Sequence, residues 1–200
     1  MIAFKGFTGE LKSVLGNGRE ESCSFKPGIT MTETECKTGR NGYHCCENPF
    51  ECLSFYSLNG KNRFFRVEAA GNINEDGAGR IACTRITLLE ELDPWKMAYY
   101  GMKYIIEHPD REKWQQDHGS VIVAMDSARA CGSGQIAIAR GRLPKVKGPS
   151  GSILGLLADG PLGIEAAKIL MVKECQAGRW LHLDGNRVVM EETENEEKAG

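Results

Sequence analysis

The 200-residue sequence lacks the long apolar segment of a membrane protein. It contains no run of about 18 consecutive apolar residues, the length that a membrane-spanning helix needs. The first residues, MIAFKGFTGELK, show no basic head, no long apolar stretch and no small-residue cleavage site, so we expect no secretory signal peptide. These absences predict a cytoplasmic protein without a membrane partner.

A strong excess of charge is also missing. The sequence has 25 Lys and Arg residues against 27 Asp and Glu residues, a formal net charge of −2. The segment 191–200, EETENEEKAG, lacks apolar periodicity, and we expect it to be an acidic disordered tail. Without this segment 24 basic and 22 acidic residues remain, a net charge of +2. Neither value indicates a strongly basic nucleic-acid-binding protein.

The common catalytic and nucleotide-binding motifs are absent as well. No HExxH, GxSxG or GxxxxGK[ST] motif occurs, and no GxGxxG motif follows a predicted strand. The cysteines form no CxxC pair, the usual knuckle of a structural zinc site. No short motif therefore assigns a reaction or a metal.

Cysteine itself is plentiful, with eight residues, and the stretch NGYHCCENPFECLSFY (41–56) holds three of them beside His44. Thiolates and imidazole suit zinc, which makes a zinc-dependent module one alternative. However, adjacent Cys45 and Cys46 point to opposite sides of an extended chain. In a reducing cytosol a disulfide framework is also disfavoured. We therefore predict no metal and interpret the thiols as buried packing residues.

A cysteine nucleophile is a further alternative in this stretch. Cys46 comes just before a predicted helix N-terminus, where the helix dipole favours a thiolate. His44 lies two residues earlier, on the same side of an extended segment. An inert, partly buried thiol remains the favoured interpretation.

The same stretch contains a clear helix start. Asn48 is a good N-cap, Pro49 suits the first helical position, and Glu51 completes a capping-box-like arrangement. We predict a helix from there to about Leu58. A second helix follows Asp93, with an apolar face formed by Met97, Ala98, Gly101, Met102, Ile105 and Ile106.

Alternation of apolar and polar residues predicts several strands. MIAFKGF is the first, RFFRVEA places Phe65, Val67 and Ala69 on one face, and IACTRITLLEEL places Ala82, Thr84, Ile86 and Leu88 in phase. Three similar strings then begin at residues 119, 134 and 151: GSVIVAM, GQIAIAR and GSILGLL. This repeat predicts the rungs of a small β-solenoid or a sheet of similar strands. Asp184-Gly185-Asn186 predicts a final hairpin turn.

One basic segment is a candidate for phosphate binding. In ARGRLPKVKGPSGS (139–152), Arg140, Arg142, Lys145 and Lys147 lead into a glycine- and serine-containing loop. Such a loop meets phosphate through side chains and backbone N–H groups. Nucleic acid or a nucleotide would be the partner, and an ordinary solvated basic loop is the alternative.

The order of signals in the first half resembles a known family. KGFT in the first strand, FKPG, GYHCCENPFECLSFY and RFFRVEAAG together resemble the opening half of ADP-ribosyltransferases of the diphtheria-toxin and poly-ADP-ribose polymerase type, over roughly residues 1 to 90. The resemblance implies an α+β protein with an ADP-ribosyltransferase-like module at 1–115. A β-rich repeat or meander subdomain at 116–190 and the acidic tail at 191–200 complete the expected organisation.

The same resemblance implies NAD as a cofactor if the protein is a transferase, and otherwise we predict none. His44 then falls where the family has a stacking Tyr, and Glu91, with Glu90 beside it, is the candidate for the catalytic Glu. Lys5 or Phe7 stands where the family has its NAD-binding His. His44 and Glu91 are therefore the catalytic candidates of this alternative.

The whole chain also resembles uncharacterised proteins carried by phages and prophages. This resemblance implies an accessory protein in the host bacterial cytosol that binds a host protein, a ribonucleoprotein complex or a nucleotide. Counter-defence, as an anti-CRISPR inhibitor or by capture of a nucleotide signal, is the implied biology. A binding protein is thus the favoured hypothesis, with an NAD-dependent mono-ADP-ribosyltransferase and a zinc-dependent module as alternatives.

Overall fold

The computed structural model describes residues 1–14, 24–77, 79–111 and 114–191. The chain divides into two compact units, Met1–Tyr104 (unit 1) and Ile105–Gly200 (unit 2), and each is considered by itself. Cys23 and nearly all of the predicted tail, 192–200, lie outside the described residues. In the part of the chain that is described, no helix combines the length and apolar character needed to cross a membrane.

Unit 1 is built from antiparallel strands that close into a ring. The strands are β1 (Ile2–Phe7), β2 (Thr30–Thr32), β3 (Tyr43–Cys46), β4 (Arg63–Glu75) and β5 (Arg80–Leu92), and helix α1 (Pro94–Glu107) follows them. β1 pairs with β3 and β4, and β5 also pairs with both, so the ring runs β1–β3–β5–β4. β2 pairs with the remaining part of β5. Each of the four ring strands is thereby paired on both sides within the unit.

The interior of unit 1 is filled by the inward phase of each strand. Phe65, Val67 and Ala69 are buried together, as the alternation in RFFRVEA predicts. The buried cluster consists of Ala3, Phe7, Leu11, Phe25, Tyr43, Cys45, Phe65, Val67, Ala69, Ile81, Cys83, Ile86 and Leu88. Phe7 packs on Phe25 and Phe65 with ring centroids 4.9 and 5.8 Å apart. These tilted and edge-to-face contacts are the favourable geometry for aromatic pairs.

A β-bulge on β4 interrupts the pairing of β4 with β5. Gly71 and Asn72 on β4 together oppose Thr84 alone, because the register steps from Ala70–Arg85 to Ile73–Cys83. The Asn72 N–H donates to Thr84 Oγ1 over 2.9 Å, which satisfies this buried hydroxyl. The predicted set Ala82, Thr84, Ile86 and Leu88 is wrong in its first half, since the core cluster contains Ile81 and Cys83 together with Ile86 and Leu88.

The predicted helix from Asn48 to Leu58 is wrong in type and length. It is a 3₁₀ helix over Pro49–Ser54, although the predicted N-cap is confirmed by the Phe50 N–H, which donates to Asn48 Oδ1 over 3.0 Å. Tyr56 explains the early end. Its ring lies against Gly6 of β1, and its hydroxyl accepts from the Val14 N–H over 2.8 Å. A helix this short has little stability of its own, so tertiary packing decides its form.

The second predicted helix is confirmed as α1. The Lys96 N–H donates to Asp93 Oδ1 over 2.7 Å, so Asp93 is the predicted cap. Gly101 faces the Phe50 ring so closely that a Cβ would overlap it. Ile106, which the pattern placed on the apolar face, is 40% exposed.

The predicted α+β class with an ADP-ribosyltransferase-like N-terminal module is wrong. Strands account for 51% of the structure and helices for 13%, arranged around two sheets. The difference arises in unit 1, where the expected helix after Asn48 is one short 3₁₀ segment and β4 and β5 extend over 13 residues each. The protein is a β-rich fold.

Unit 2 contains the predicted repeat. Its strands are β6 (Gln116–Asp117), β7 (Val121–Arg129), β8 (Ile136–Lys147), β9 (Ile153–Gly160), β10 (Gly163–Met171), β11 (Leu181–Asp184) and β12 (Arg187–Met190). β7, β8 and β9 are parallel, and Val121, Ile136 and Ile153 occupy the same register position. The repeat is thereby confirmed as stacked, similar strands. Parallel neighbours normally need a long crossover, whereas these strands follow one another after short turns, as rungs do.

The last strands form the predicted hairpin. β11 and β12 are antiparallel and close at Asp184–Arg187, with Gly185 in the left-handed region at φ 55°. β11 also pairs with the end of β8, where Leu181 opposes Val146. Both of these residues are fully buried in the core of unit 2. The segment 139–147, predicted as a basic loop, therefore belongs to strand β8.

Candidate functional site

Unit 1 contains a cavity of about 580 Å³ bordered by β1, β3 and the 3₁₀ helix. Its size falls within the range of small-molecule sites. The positively charged groups on its wall are Lys5, Arg40 and Arg80, and His44 lies among them. No Asp or Glu is found among the described residues that line it. Among the described residues, the wall of the cavity therefore carries positive charge without a carboxylate.

Lys5 is the unusual residue of this cavity. It occupies an inward position of β1, between Ala3 and Phe7, and is only 7% exposed. Its ammonium donates to the His44 carbonyl oxygen over 2.8 Å and lies 5.2 Å from the centroid of the Phe7 ring. Lysine is rarely buried unless its charge is paired. Here a backbone carbonyl and the faces of aromatic rings stabilise the buried ammonium. From the sequence, Lys5 was noted only as one of two residues at the position of the family's NAD-binding His, although a lysine in the apolar phase of AFKGF was a visible signal.

His44, the first catalytic candidate, does line the cavity. Its Nε2 accepts the Gly39 N–H over 2.9 Å, which assigns the ring proton to Nδ1 in the neutral form. The turn that carries Gly39 has φ 77° at this residue and brings the N–H to the ring. His44 therefore joins strand β3 to the turn before it through a ring nitrogen that is already engaged.

The thiols next to His44 are paired with one another. Cys46 and Cys52 share a hydrogen bond, and both line the cavity. That hydrogen bond, together with burial, raises the pKa of Cys52 well above its ordinary value. On the interior side, the hydrogen bond with Cys83 and burial likewise raise the pKa of Cys45. Cys45 and Cys52 are therefore neutral thiols at physiological pH, as the packing interpretation of the cysteines requires.

No metal centre emerges from the cysteine-rich stretch. Over 1–14, 24–77, 79–111 and 114–191, no group of three or more His, Cys, Asp or Glu side chains is placed to hold a metal ion. The seven described cysteines, Cys36, Cys45, Cys46, Cys52, Cys83, Cys131 and Cys175, are all free thiols. Cys45 belongs to the buried cluster of unit 1, and Cys45, Cys46 and Cys52 all border the cavity.

Glu91, the second catalytic candidate, lies far from His44. Arg63 and Glu91 form a bidentate ion pair in which both N–O distances are 2.6 Å. The guanidinium of Arg63 lowers the pKa of Glu91. On β5, His44 sits opposite Ala82, nine residues before Glu91. Nine residues correspond to roughly 30 Å of strand. The structure therefore does not bring the two candidates together.

The alternative carboxylate, Glu90, is occupied as well. It accepts hydrogen bonds from Tyr100 over 2.9 Å and Arg66 over 3.1 Å, and it lies 3.0 Å from the Lys96 ammonium. The hydrogen bond from Lys96, followed by that from Tyr100, lowers the pKa of Glu90. Glu90 therefore ties β4, β5 and α1 together within unit 1.

The four basic candidates of unit 2 separate into different roles. The Arg140 side chain is 11% exposed, and its Nε donates to Asp159 Oδ1 over 2.9 Å while an Nη donates to the Pro109 carbonyl over 2.7 Å. Arg142 is exposed on the same strand. The ammonium groups of Lys145 and Lys147 lie 5.0 and 4.4 Å from the centroid of the Trp180 ring. Arg140 is thus a structural ion-pair residue, whereas the two lysines lie on a surface.

The family comparison concerns the same half of the chain as the cavity. Residues 1–99 match the model of a family described as Domain of unknown function (DUF7666), which covers just under half of the sequence. The match includes β1 to β5 and the residues that line the cavity. No curated protein and no solved structure matches the chain.

Proposed function

We propose that unit 1 is a binding module that holds a small organic anion in its cavity. The observation that supports this function is the charge of the wall: three cationic side chains and one imidazole, without a carboxylate among the described lining residues. Inside a cleft with low-dielectric walls, like charges focus a potential that attracts ligands of the opposite sign. A bound anion would compensate the positive charge of the wall.

Lys5 is suited to the innermost contact. An ammonium carries three N–H donors, and the contact with the His44 carbonyl uses one of them. Its position in the β1 ladder fixes the start of the side chain, so little entropy is lost when a ligand binds. Arg40 and Arg80 are exposed, and Arg80 is partly neutralised by Asp76 at 2.7 Å. Of the two arginines at the rim, Arg40 is therefore the more effective in attracting an anion.

The apolar part of the wall favours an organic ligand over an inorganic ion. Phe4, Val14, Phe55 and Tyr56 line the cavity together with the cations. Ligand sites combine such apolar surface with a few polar groups that fix orientation. A nucleotide, which the sequence suggested as a partner, belongs to this class of ligand.

Binding fits the geometry better than group transfer. Glu91 is held by Arg63 at a distance from His44, so no carboxylate candidate stands beside the cavity. A transferase would need such a group to stabilise positive charge on the sugar. The role in counter-defence and the host protein or ribonucleoprotein target stay predictions.

Calorimetric titration with a ligand panel tests the proposal. The panel comprises mono- and dinucleotides including NAD, sugar phosphates and dicarboxylates. We expect at least one anion to bind the wild type, and Arg40→Gln to weaken binding about 10-fold, which is about 1.4 kcal/mol. Lys26→Gln removes the same charge at an exposed position outside the cavity and serves as the matched control.

Two outcomes count against the proposal. Either no panel member binds, or Arg40→Gln and Lys26→Gln weaken binding equally. Lys5→Met, checked for folding by circular dichroism, should abolish binding because it removes the innermost donor. Incubation with labelled NAD and cell lysate examines the transferase separately: label transfer that disappears in Glu91→Ala would favour an enzyme.

A further inference from the structure

One face of the sheet in unit 2 collects positive charge around a tryptophan. Val146 of β8 and Leu181 of β11 are opposite each other and fully buried. Because side chains alternate across a strand, Lys145 and Lys147 lie on the other face, together with Trp180 and His182. His182 is directly opposite Lys145 in the register.

The neighbouring strands extend this face on both sides. On β7, Arg129 is opposite Lys147 and Ser127 is opposite Lys145. On the other side, Val189 of β12 is opposite His182, and the Glu191 N–H donates to the Trp180 carbonyl over 2.9 Å. Two rows therefore cross the sheet. They are Arg129–Lys147–Trp180–Glu191 and Ser127–Lys145–His182–Val189, and we call them the Trp180 face.

The Trp180 face combines an aromatic surface with cations at close range. The ammonium groups of Lys147 and Lys145 lie 4.4 and 5.0 Å from the centroid of the Trp180 ring. Its one carboxylate, Glu191, lies 3.5 Å from the Lys145 ammonium at the edge of the face. Trp180 and both lysines are partly exposed, and Arg129 is exposed. The face thus carries three cations against one carboxylate.

We propose that the Trp180 face binds single-stranded nucleic acid. A base stacks on Trp180, and the lysine that it displaces from the ring contacts a phosphate, as do the other lysine and Arg129. Charge complementarity and an aromatic platform are the two elements that single-strand binding uses without base-specific contacts. This inference concerns unit 2 and is independent of the anion cavity in unit 1.

The geometry favours a single strand over a duplex. A stacking platform needs an unpaired base with a free π-face, which a duplex does not offer. Arg129 and Lys147 lie in the same row as Trp180, and Lys145 lies in the neighbouring row, so the cations follow the strands of a short sheet rather than a helix that enters a groove. Ribose and deoxyribose strands share this chemistry, so both are included as probes.

Fluorescence anisotropy with labelled oligonucleotides of about 12 residues, oligo(dT) and oligo(rU), tests the proposal, since binding sites of this type span about 4 to 16 nucleotides. We expect both probes to bind, with a slope of log affinity against log salt of roughly −2 for three phosphate contacts. Trp180→Leu should weaken binding by about 10-fold or more because the stacking surface is lost. Lys147→Gln should also weaken binding and reduce the slope.

Two controls make the result specific to this face. Lys168→Gln removes a cation from β10, on the other side of β9, and should leave the affinity unchanged. Glu191→Gln removes the one carboxylate of the Trp180 face and should strengthen binding, a change opposite in sign to that of Lys147→Gln. If Trp180→Leu fails to fold by circular dichroism, Lys147→Gln and Glu191→Gln still decide the question.

Three outcomes overturn the proposal. The first is the absence of binding to both probes at low salt. The second is an equal loss in Lys147→Gln and Lys168→Gln, which would indicate unspecific attraction. The third is binding to duplex DNA or to vesicles of anionic phospholipid that matches or exceeds binding to the single strands. A preference between oligo(dT) and oligo(rU) reports on contacts to the sugar and supports the proposal in either direction.

Discussion

Unit 1 and unit 2 place their lysines in opposite ways. In unit 1, Lys5 takes an inward position between two buried residues of β1 and borders a cavity. In unit 2, Lys145 and Lys147 stand on either side of the buried Val146 and face outward beside Trp180. The same alternation operates in both strands. What differs is whether the lysine occupies an inward or an outward position of its strand.

The two sheets turn this difference into two kinds of surface. The antiparallel ring of unit 1 closes on itself, so an inward lysine meets thiols, aromatic rings and a space of about 580 Å³. The parallel strands β7 and β8 keep corresponding residues side by side, so outward charges line up in rows. The closed ring of unit 1 therefore places one charged side chain by itself in the interior. The stacked strands of unit 2 place several charged side chains next to one another on the surface.

The largest expected effect comes from truncating a buried side chain in the core of each unit. Phe65→Ala in unit 1 should lower the free energy of unfolding by about 3–5 kcal/mol, and Leu156→Ala in unit 2 by about 2–5 kcal/mol, because each leaves a cavity among fully buried neighbours. Urea denaturation measures both. Phe55→Ala, at a position 58% exposed, should change the value by less than about 1 kcal/mol. A mild Phe65→Ala would show that the ring of unit 1 has no tightly packed interior.

Thiol reactivity should separate the two units next. Cys45 and Cys52 of unit 1 are buried with raised pKa values, whereas Cys131 and Cys175 of unit 2 are exposed. At pH 8 we expect the exposed thiols to react with a disulfide reagent about 100-fold faster or more, because thiolate character and access set the rate. Stopped-flow absorbance and peptide mass mapping measure this difference.

The control for this experiment uses serine variants in a Cys23→Ser and Cys36→Ser background, because Cys23 lies outside the described residues and Cys36 is partly exposed outside the cavity. Replacing Cys131 and Cys175 by Ser should remove the fast phase. If the fast phase survives, a thiol of unit 1 is accessible from the cavity, and the contrast between the two units is weaker than the structure indicates.

Glycine substitutions should give an intermediate effect and sharpen the same contrast. Gly71 in the β4 bulge and Gly134 before β8 both have positive φ, 77° and 75°. A Cβ at Gly71 would overlap Thr84 Oγ1, whereas a Cβ at Gly134 meets nothing within 4 Å. Both alanine variants should lose about 1–2 kcal/mol to backbone strain, and Gly71→Ala should lose more. Equal losses, measured by thermal unfolding, would mean that Thr84 rotates away freely.

The smallest expected effect is the acid dependence of the Arg63–Glu91 pair. The guanidinium lowers the folded-state pKa of Glu91 below its ordinary value of 4.5. The pair therefore stabilises the fold above about that pH, and the contribution is lost as the pH falls through the lowered pKa. Both side chains are more than a third exposed, so the loss should stay below about 1 kcal/mol.

Glu91→Gln should flatten the dependence of stability on pH between about 5 and 3, because it removes the titrating group. Glu68→Gln changes an exposed carboxyl on β4 and is the control. Denaturant titrations at several pH values measure both. If Glu91→Gln behaves like Glu68→Gln, the ion pair contributes nothing measurable to stability.

Local signals predicted local structure well. The alternation of RFFRVEA, the Asp93 cap and the Asp184-Gly185-Asn186 turn each involve neighbours in sequence, and each is confirmed. The repeat at 119, 134 and 151 is confirmed for the same reason: similar strings stack in register when the same positions pack together. The candidate site was only partly visible, through His44 and its cysteines.

Other features depended on residues far apart in the chain. The stretch after Asn48 has sound helix signals, but the packing of Tyr56 on Gly6 and its hydrogen bond from Val14 end the helix at Ser54. The α+β prediction was wrong because it counted that helix. Glu91 looked like a catalytic candidate until its pairing with Arg63 on β4 was known.

By itself, the sequence determined which residues alternate, where caps and turns lie, and which segments repeat, because these properties depend on chain geometry within a few residues. Only the tertiary structure decided that the strands of unit 1 close into a ring around Lys5 and that Lys145 and Lys147 meet Trp180. Both outcomes rest on strand register between distant segments, and register is set by the joint burial of side chains rather than by any one segment.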